Sequence, residues 1–206
     1  MKFGPVDIDA ARGAILAHSV KLEKGRLRKG VILSAADVDA LKQAGLSEVI
    51  VARPDPDDCH ENDAAARLAA ALVPDPGAVG LRLTAPFTGR VNILAEGPGV
   101  VCLDVAALER FNRVHPMITI ATVPQHQQMA AGGMVATIKV ISFAVPERDV
   151  QVAAETAPAA VRLAGPRYET AGLIITDIPG APDEAKGRAA IAARIGALGM
   201  ELADTR

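Results

Sequence analysis

Aromatic side chains are nearly missing from this 206-residue chain, which has four Phe, one Tyr and no Trp. A core must then be built from Val, Ile, Leu and Ala, and stacking platforms for single-stranded nucleic acid are not expected. An excess of positive charge is missing too: the formal net charge of −2 leaves no basic footprint for nucleic acid. No run of about 18 apolar residues occurs, so no membrane-spanning helix is expected. The opening residues, MKFGPVDIDAARG, lack the apolar stretch of a signal peptide. Cysteine is confined to Cys59 and Cys102, far apart in sequence and forming no CxxC pair. A reduced, cytoplasmic setting is the expectation.

What is present is hydrophobic and ordered in pattern. Half the residues are hydrophobic, which makes the chain globular rather than disordered. Residues 1–53 read as one unit. GAILAHSVKLEKGRLRKGVIL alternates short apolar runs with Gly25 and Gly30, as a β-hairpin and a following turn would. SAADVDALKQAG then predicts a helix with Ser34 as N-cap, Asp37 closing an acidic capping box, and Gly45 as terminator. Val38 and Leu41 form its apolar face, and EVIVA returns as a strand. Residues 54–80 form a second segment, with a polar loop PDPDDCHEND and an alanine-rich helix in which Leu68 and Leu72 face the core.

Residues 81–150 read mostly as β structure. LRLTAPFTGRVNIL gives two strands broken at Pro86 and Gly89, GPGVVCL gives another, and DVAALERFNRV is a helix capped by Asp104. MITIATV and MVATIKVISFAV are the strongest strand signals. In the latter, Met134, Ala136, Ile138 and Val140 are expected on one face, with Thr137 and Lys139 on the other. Residues 147–170 read as a crossing into a new unit, which spans 171–206. There AGLIITDI reads as a strand buried on both faces. A helix follows, with Ile191, Ile195 and Leu198 on one side, and MELADTR begins a further strand. One βα unit cannot cover its own sheet, so the expectation is a sheet completed by further chain or by a partner.

Several of these stretches resemble the molybdopterin-binding protein family, relatives of the molybdenum-inserting enzymes of molybdenum cofactor biosynthesis. RLRKGVILSAADVDALKQAGLSEVIVA is similar to its N-terminal element. APFTGRVNI, NRVHPMITIATV and GGMVATIKVISFAVPE resemble its middle region, in the same order. AGLIITDIPGAPDEAKGRAAIAARIGALGMEL resembles the first strand and helix of its α/β ligand domain. The resemblance implies an α+β fold: a hairpin–helix–strand unit, a barrel-like β region, and the start of a molybdopterin-binding α/β domain. It also implies molybdopterin as ligand or substrate, magnesium or molybdate as accompanying ions in the complete protein, and a homo-oligomer. In the family the pterin phosphate is held mainly by later loops, including a Gly/Ser-rich turn that would lie beyond Arg206. The resemblance therefore covers an N-terminal portion, expected to be inactive alone. It leaves open which step is served: molybdate insertion, nucleotide transfer or delivery.

The candidate binding residues fall in two places. In FTGRVN, Thr88 and Gly89 shape the turn, Arg90 has the fork for a phosphate, and Asn92 has the amide for a ring. A structural role for Arg90, paired to a carboxylate across an interface, stands beside that reading. Thr176 and Asp177 sit at the carboxyl end of the presumed first α/β strand, where open sheets bind ligands, or else simply turn DIPG. The acidic start of the next helix, Asp183 and Glu184, opposes a phosphate there. Lys24, Arg26, Arg28 and Lys29 suit an anionic partner, or a solvated edge that resists strand aggregation.

DPDDCHE matches no metal-ligand spacing and reads as a solvated acidic loop. His18 is expected half-buried and hydrogen-bonded, His115 shaping a turn, and His126 exposed. No GxSxG, P-loop or GxGxxG occurs, so no catalytic residue is assigned. Two further classes stay in view. One is a dimerising, non-catalytic assembly module. The other is a lipoyl- or biotinyl-like barrel, in which Lys139 would be the carrier lysine but lies inside a strand-like run.

Overall fold

The computed structural model describes residues 1–176 and 184–206. The N-terminal unit opens with β1 (Lys2–Asp7) and a 3-10 turn, followed by β2 (Ile15–Leu16), β3 (Val20–Lys21) and β4 (Arg26–Leu27). It closes with α1 (Ala35–Gln43) and β5 (Glu48–Arg53). β5 lies between β1 and β2, antiparallel to both, and β3 and β4 form the expected hairpin.

The capping box on α1 is present in both directions. Ser34 Oγ accepts the Asp37 N–H, and the Asp37 carboxylate accepts the Ser34 N–H. At the other end the Gly45 N–H reaches Lys42 O and the Leu46 N–H reaches Leu41 O, with Gly45 at φ 80°, which is a Schellman closure. Leu16, Leu33, Val38, Leu41, Val49 and Val51 form the unit's core. β1 was hidden in the sequence by Gly4 and Pro5. Pro5 is tolerated because β1 is an edge strand. His18 is exposed rather than half-buried, because the chain leaves the sheet after Ala17.

The middle unit contains β6 (Asp58–His60), α2 (Glu61–Leu72), a second 3-10 turn, β7 (Leu81–Leu83), β8 (Arg90–Ala95) and β9 (Gly99–Leu103). It continues through α3 (Val105–Val114), β10 (Ile118–Thr122), β11 (Gln128–Met129), β12 (Met134–Val140), β13 (Ala144–Pro146), α4 (Glu147–Thr156) and β14 (Val161–Ala164). A four-stranded sheet, β10-β12-β8-β7, lies beside a three-stranded one, β11-β9-β14, with β6 and β13 paired separately. One core runs from Cys59 to Leu163, and α2 packs on β8 and β12. Burial of side chains such as Leu68, Leu72 and Ile138 contributes roughly 2 kcal/mol each.

Four expectations are corrected here. The β region does not close into a barrel among the described residues: its strands divide among the four-stranded sheet, the three-stranded sheet and the β6–β13 pair, and α2 packs against β8 and β12. In β12 the alternation holds from Ala136 to Val140, but Met134 is 51% exposed and Val135 fully buried. A bulge between Met134 and Ala136 shifts the register and flips the face. PDPDDCHEND is not all solvated loop, since Cys59 lies in β6 and Glu61 is buried at the start of α2. Residues 147–164 are no simple crossing: α4 and β14 add Val150, Ala153, Val161 and Leu163 to the same core.

The last unit is β15 (Thr170–Leu173), α5 (Glu184–Gly196) and β16 (Glu201–Thr205), with the two strands parallel. Ile191 and Ile195 are half-buried along α5, as is Ala192 beside them, and Leu198, also half-buried, falls just past the helix end. The expected strand runs on to Asp177 and Ile178, which lie outside the described residues; among the described ones β15 pairs with β16 alone and Ile174 is 84% exposed, so burial on both faces is not reached there. No helix among the described residues is long and apolar enough to cross a membrane.

Candidate functional site

The FTGR stretch folds as a two-residue hairpin turn. The Phe87 N–H donates to Arg90 O at 3.0 Å, and the Arg90 N–H donates to Phe87 O at 3.1 Å. Thr88 (φ 48°) and Gly89 (φ 69°) are both left-handed, the pattern of a type I′ turn. Left-handed backbone is natural for Gly89 and unusual for a β-branched residue such as Thr88. Surrounding contacts hold it there. Asn62 Oδ1 accepts the Gly89 N–H at 2.8 Å, and the Val140 N–H donates to Gly89 O at 2.8 Å. Lys139 Nζ donates to Thr88 O and to Val140 O, each at 2.6 Å. Glu61 Oε2 lies 3.5 Å from the same ammonium.

Register explains this clasp. Arg90 on β8 stands directly opposite Lys139 on β12, and like charges so placed repel. Lys139 turns away, onto two carbonyls and the buried Glu61. Arg90 projects from the exposed turn with no carboxylate in ion-pair range among the described residues. Phe87 beside it is 75% exposed, and Thr88 is exposed too. Asn92 is committed elsewhere: its Oδ1 accepts the Thr137 hydroxyl at 2.7 Å, and its backbone bonds Thr84 in both directions. The turn therefore presents one guanidinium, one hydroxyl and one ring on an open surface. That suffices to hold a phosphate from one side, and not to enclose it.

Residues 5–53 match a family described as a domain of unknown function (DUF8806). That match covers most of the N-terminal unit, from within β1 to the end of β5, and stops before the FTGR turn. No curated protein matches the chain.

Thr176 lies just after β15, exposed, and no hydrogen bond or ion pair joins it to the turn among the described residues. Asp177 and Asp183 lie outside the described residues. The structure thus groups Thr88, Gly89 and Arg90 at the turn, leaves Asn92 in the sheet bonded to Thr137 and Thr84, and adds Glu61, Asn62 and Lys139 around the turn. The first two of these were missed because their loop read as solvent-facing. The signal lay in ENDAAARLAAAL, where continuing the helical period backwards from Leu68 puts Ala65, Ala64 and Glu61 on the buried side.

Several other polar groups make structural contacts or lie exposed. Arg67 forks onto Glu147 with both contacts at 2.7 Å, tying α2 to the start of α4 and holding the Glu147 carboxyl below its usual range. Burial pushes the Cys59 thiol up, which suits an unreactive core position. His115 Nδ1 accepts the Met117 N–H, shaping the turn into β10, and His126 is exposed. The Lys24, Arg26, Arg28 and Lys29 side chains lie exposed on and beside the β3–β4 hairpin. Among the described residues no cluster of three His, Cys, Asp or Glu has the placement to hold a metal.

Proposed function

We propose that the chain is the N-terminal part of a molybdopterin-binding protein that acts in molybdenum cofactor synthesis or handling. The observation that carries this reading is the β15–α5–β16 unit. Two parallel strands joined by a helix follow a β-rich region, an arrangement that suits the start of an open α/β sheet in the order the resemblance implies. In such sheets ligands bind beyond the carboxyl ends of the strands, and Thr176 follows β15 at that end. The exposed Arg90, Thr88 and Phe87 suit one wall of a cleft against an anionic pterin. On this reading the enclosing loops, with any magnesium or molybdate, belong to the rest of a homo-oligomeric cytoplasmic protein.

The test is pterin content. Native protein, captured from its source cells by antibody to residues 1–206, is oxidised and assayed for the fluorescent molybdopterin derivative. A yield near one pterin per chain is expected, with residues 1–206 alone binding weakly. A pterin-free native protein would overturn the reading, and tight binding by 1–206 alone would overturn the assignment of the pocket to other loops.

A second reading, a non-catalytic assembly module, is favoured by the exposure of Ile174 (84%) and Tyr168 (76%) around the two-stranded sheet. Beside them both outer edges of β15–β16 are unpaired among the described residues, and such edges template pairing with another chain. Sedimentation of 1–206 addresses it, and a strict monomer counts against it. The lipoyl-like carrier reading fares worse, because the Lys139 ammonium is bonded to two carbonyls and faces Glu61.

A further inference from the structure

A second site lies on the three-stranded sheet β11-β9-β14 and shares no residue with the FTGR turn. Cys102 on β9 and Arg162 on β14 are directly opposed across an antiparallel pair, so both side chains emerge on one face a few ångströms apart. Their neighbours Val101, Val161 and Leu163 are buried, which makes this the outward face. The two residues form part of the floor of an open cavity of about 600 Å³, within the range of small-ligand pockets. Its walls include Gln125, His126, Ala159 and Asp104.

The polar equipment of this cavity is mostly donor. Arg162 is exposed and has no carboxylate in ion-pair range among the described residues. The Leu103 N–H donates to Gln125 Oε1 at 2.7 Å, which fixes the amide and leaves both N–H donors of its NH₂ group without a partner among the described residues. His126 adds an imidazole. The one acid, Asp104, spends Oδ1 on the Ala107 N–H as the N-cap of α3. His126 (φ 65°) and Ala159 (φ 52°) are two of the three non-glycine residues with left-handed backbone among the described residues, and both line this cavity. Such conformations persist where the surroundings fix them, and they concentrate at ligand sites.

We propose that this cavity binds a small molecule through an oxyanion, phosphate or carboxylate, with the Arg162 fork as its principal contact and Gln125 and His126 as supporting donors. A planar guanidinium matches either oxyanion with two parallel hydrogen bonds. The inference is independent of the pterin reading and stands or falls separately from it.

Cys102 provides the reporter. It is half-exposed in the cavity, whereas Cys59 is buried, and both thiols are free. The full chain is treated with a neutral and a sulfonate-bearing methanethiosulfonate of similar size, and Cys102 modification is followed by peptide mass. Relative to free cysteine, the anionic reagent should gain about fivefold over the neutral one at Cys102. Arg162→Gln should abolish that preference, and Arg162→Lys should retain it. Phenyl phosphate or benzoate, but not phenol, should slow labelling by the neutral reagent; the more effective of the two identifies the oxyanion class. A wild-type preference equal to that of free cysteine, an Arg162→Gln protein that keeps the preference, or protection by phenol equal to that by the anions would each overturn the proposal.

Discussion

Gly89 shows how a single position can hold a local architecture. A Cβ there would meet Val140 O at 2.5 Å and Glu61 Oε2 at 2.6 Å, with Lys139 Nζ at 3.0 Å, and the backbone sits at φ +69°. Backbone strain alone is common to several glycines. Gly132, at φ +77° with nothing within 4 Å of the same virtual atom, isolates it. Gly132→Ala should cost about 1 kcal/mol. Gly89→Ala should cost about 3 kcal/mol, because the clasp must open as well. Urea unfolding of both variants measures the difference, and equal costs would mean that the contacts around Gly89 relax freely. The sequence announced the turn through Gly89 but not its clasp. The repulsion that sends Lys139 towards Glu61 depends on Arg90 standing opposite Lys139, and one strand read alone contains no register information.

Elements with local signals were legible, and elements held by distant partners were not. α1 has its start and stop within twelve residues, from Ser34 and Asp37 to Gly45, so its capping could be read directly. α4 and the β12 bulge had no such signals. α4 buries Val150 and Ala153, a small apolar face amid charged neighbours, and the bulge exists only relative to β8. The capping box also makes a pH-dependent prediction. Hydrogen bonds from the Ser34 hydroxyl and N–H hold the Asp37 carboxyl below its ordinary value. A carboxylate depressed in the folded state stabilises above its unfolded pKa, and the contribution is lost as pH falls through the folded value. Asp37→Asn should therefore cost about 0.5 kcal/mol at pH 7. The gap to wild type should begin to narrow below the ordinary carboxylate value and close below the folded one. Paired urea titrations at neutral and acid pH check this. A gap that persists unchanged in acid would show that the Asp37 charge plays no part.

For the whole molecule, the question is whether residues 170–206 share the stability of the rest. β8 and β12 are central strands of a four-stranded sheet, packed under α2 with Ile93 and Ile138 fully buried. Among the described residues β15 and β16 pair with each other alone, α5 keeps most of its surface in solvent, and a Cβ on Gly199 would lie 3.5 Å from the Pro98 ring of the middle unit. Parallel two-stranded sheets with exposed faces are weakly held, since parallel strands normally gain their stability from cover on both sides. Opening of β15–β16 should then be local rather than global. In the full chain, the amides of Ile175 and Arg206, which donate to Arg206 O and Leu173 O across that pair, should exchange on the order of a hundredfold faster than those of Val91 and Ile138. Hydrogen exchange read by mass spectrometry separates the two groups of peptides directly. If their protection is equal, the C-terminal unit unfolds with the rest and is already anchored, which would remove the physical reason for expecting a further strand or a second subunit to cover it. If protection differs as expected, the unit opens on its own, and a strand or subunit added over it should restore protection at Ile175 and Arg206.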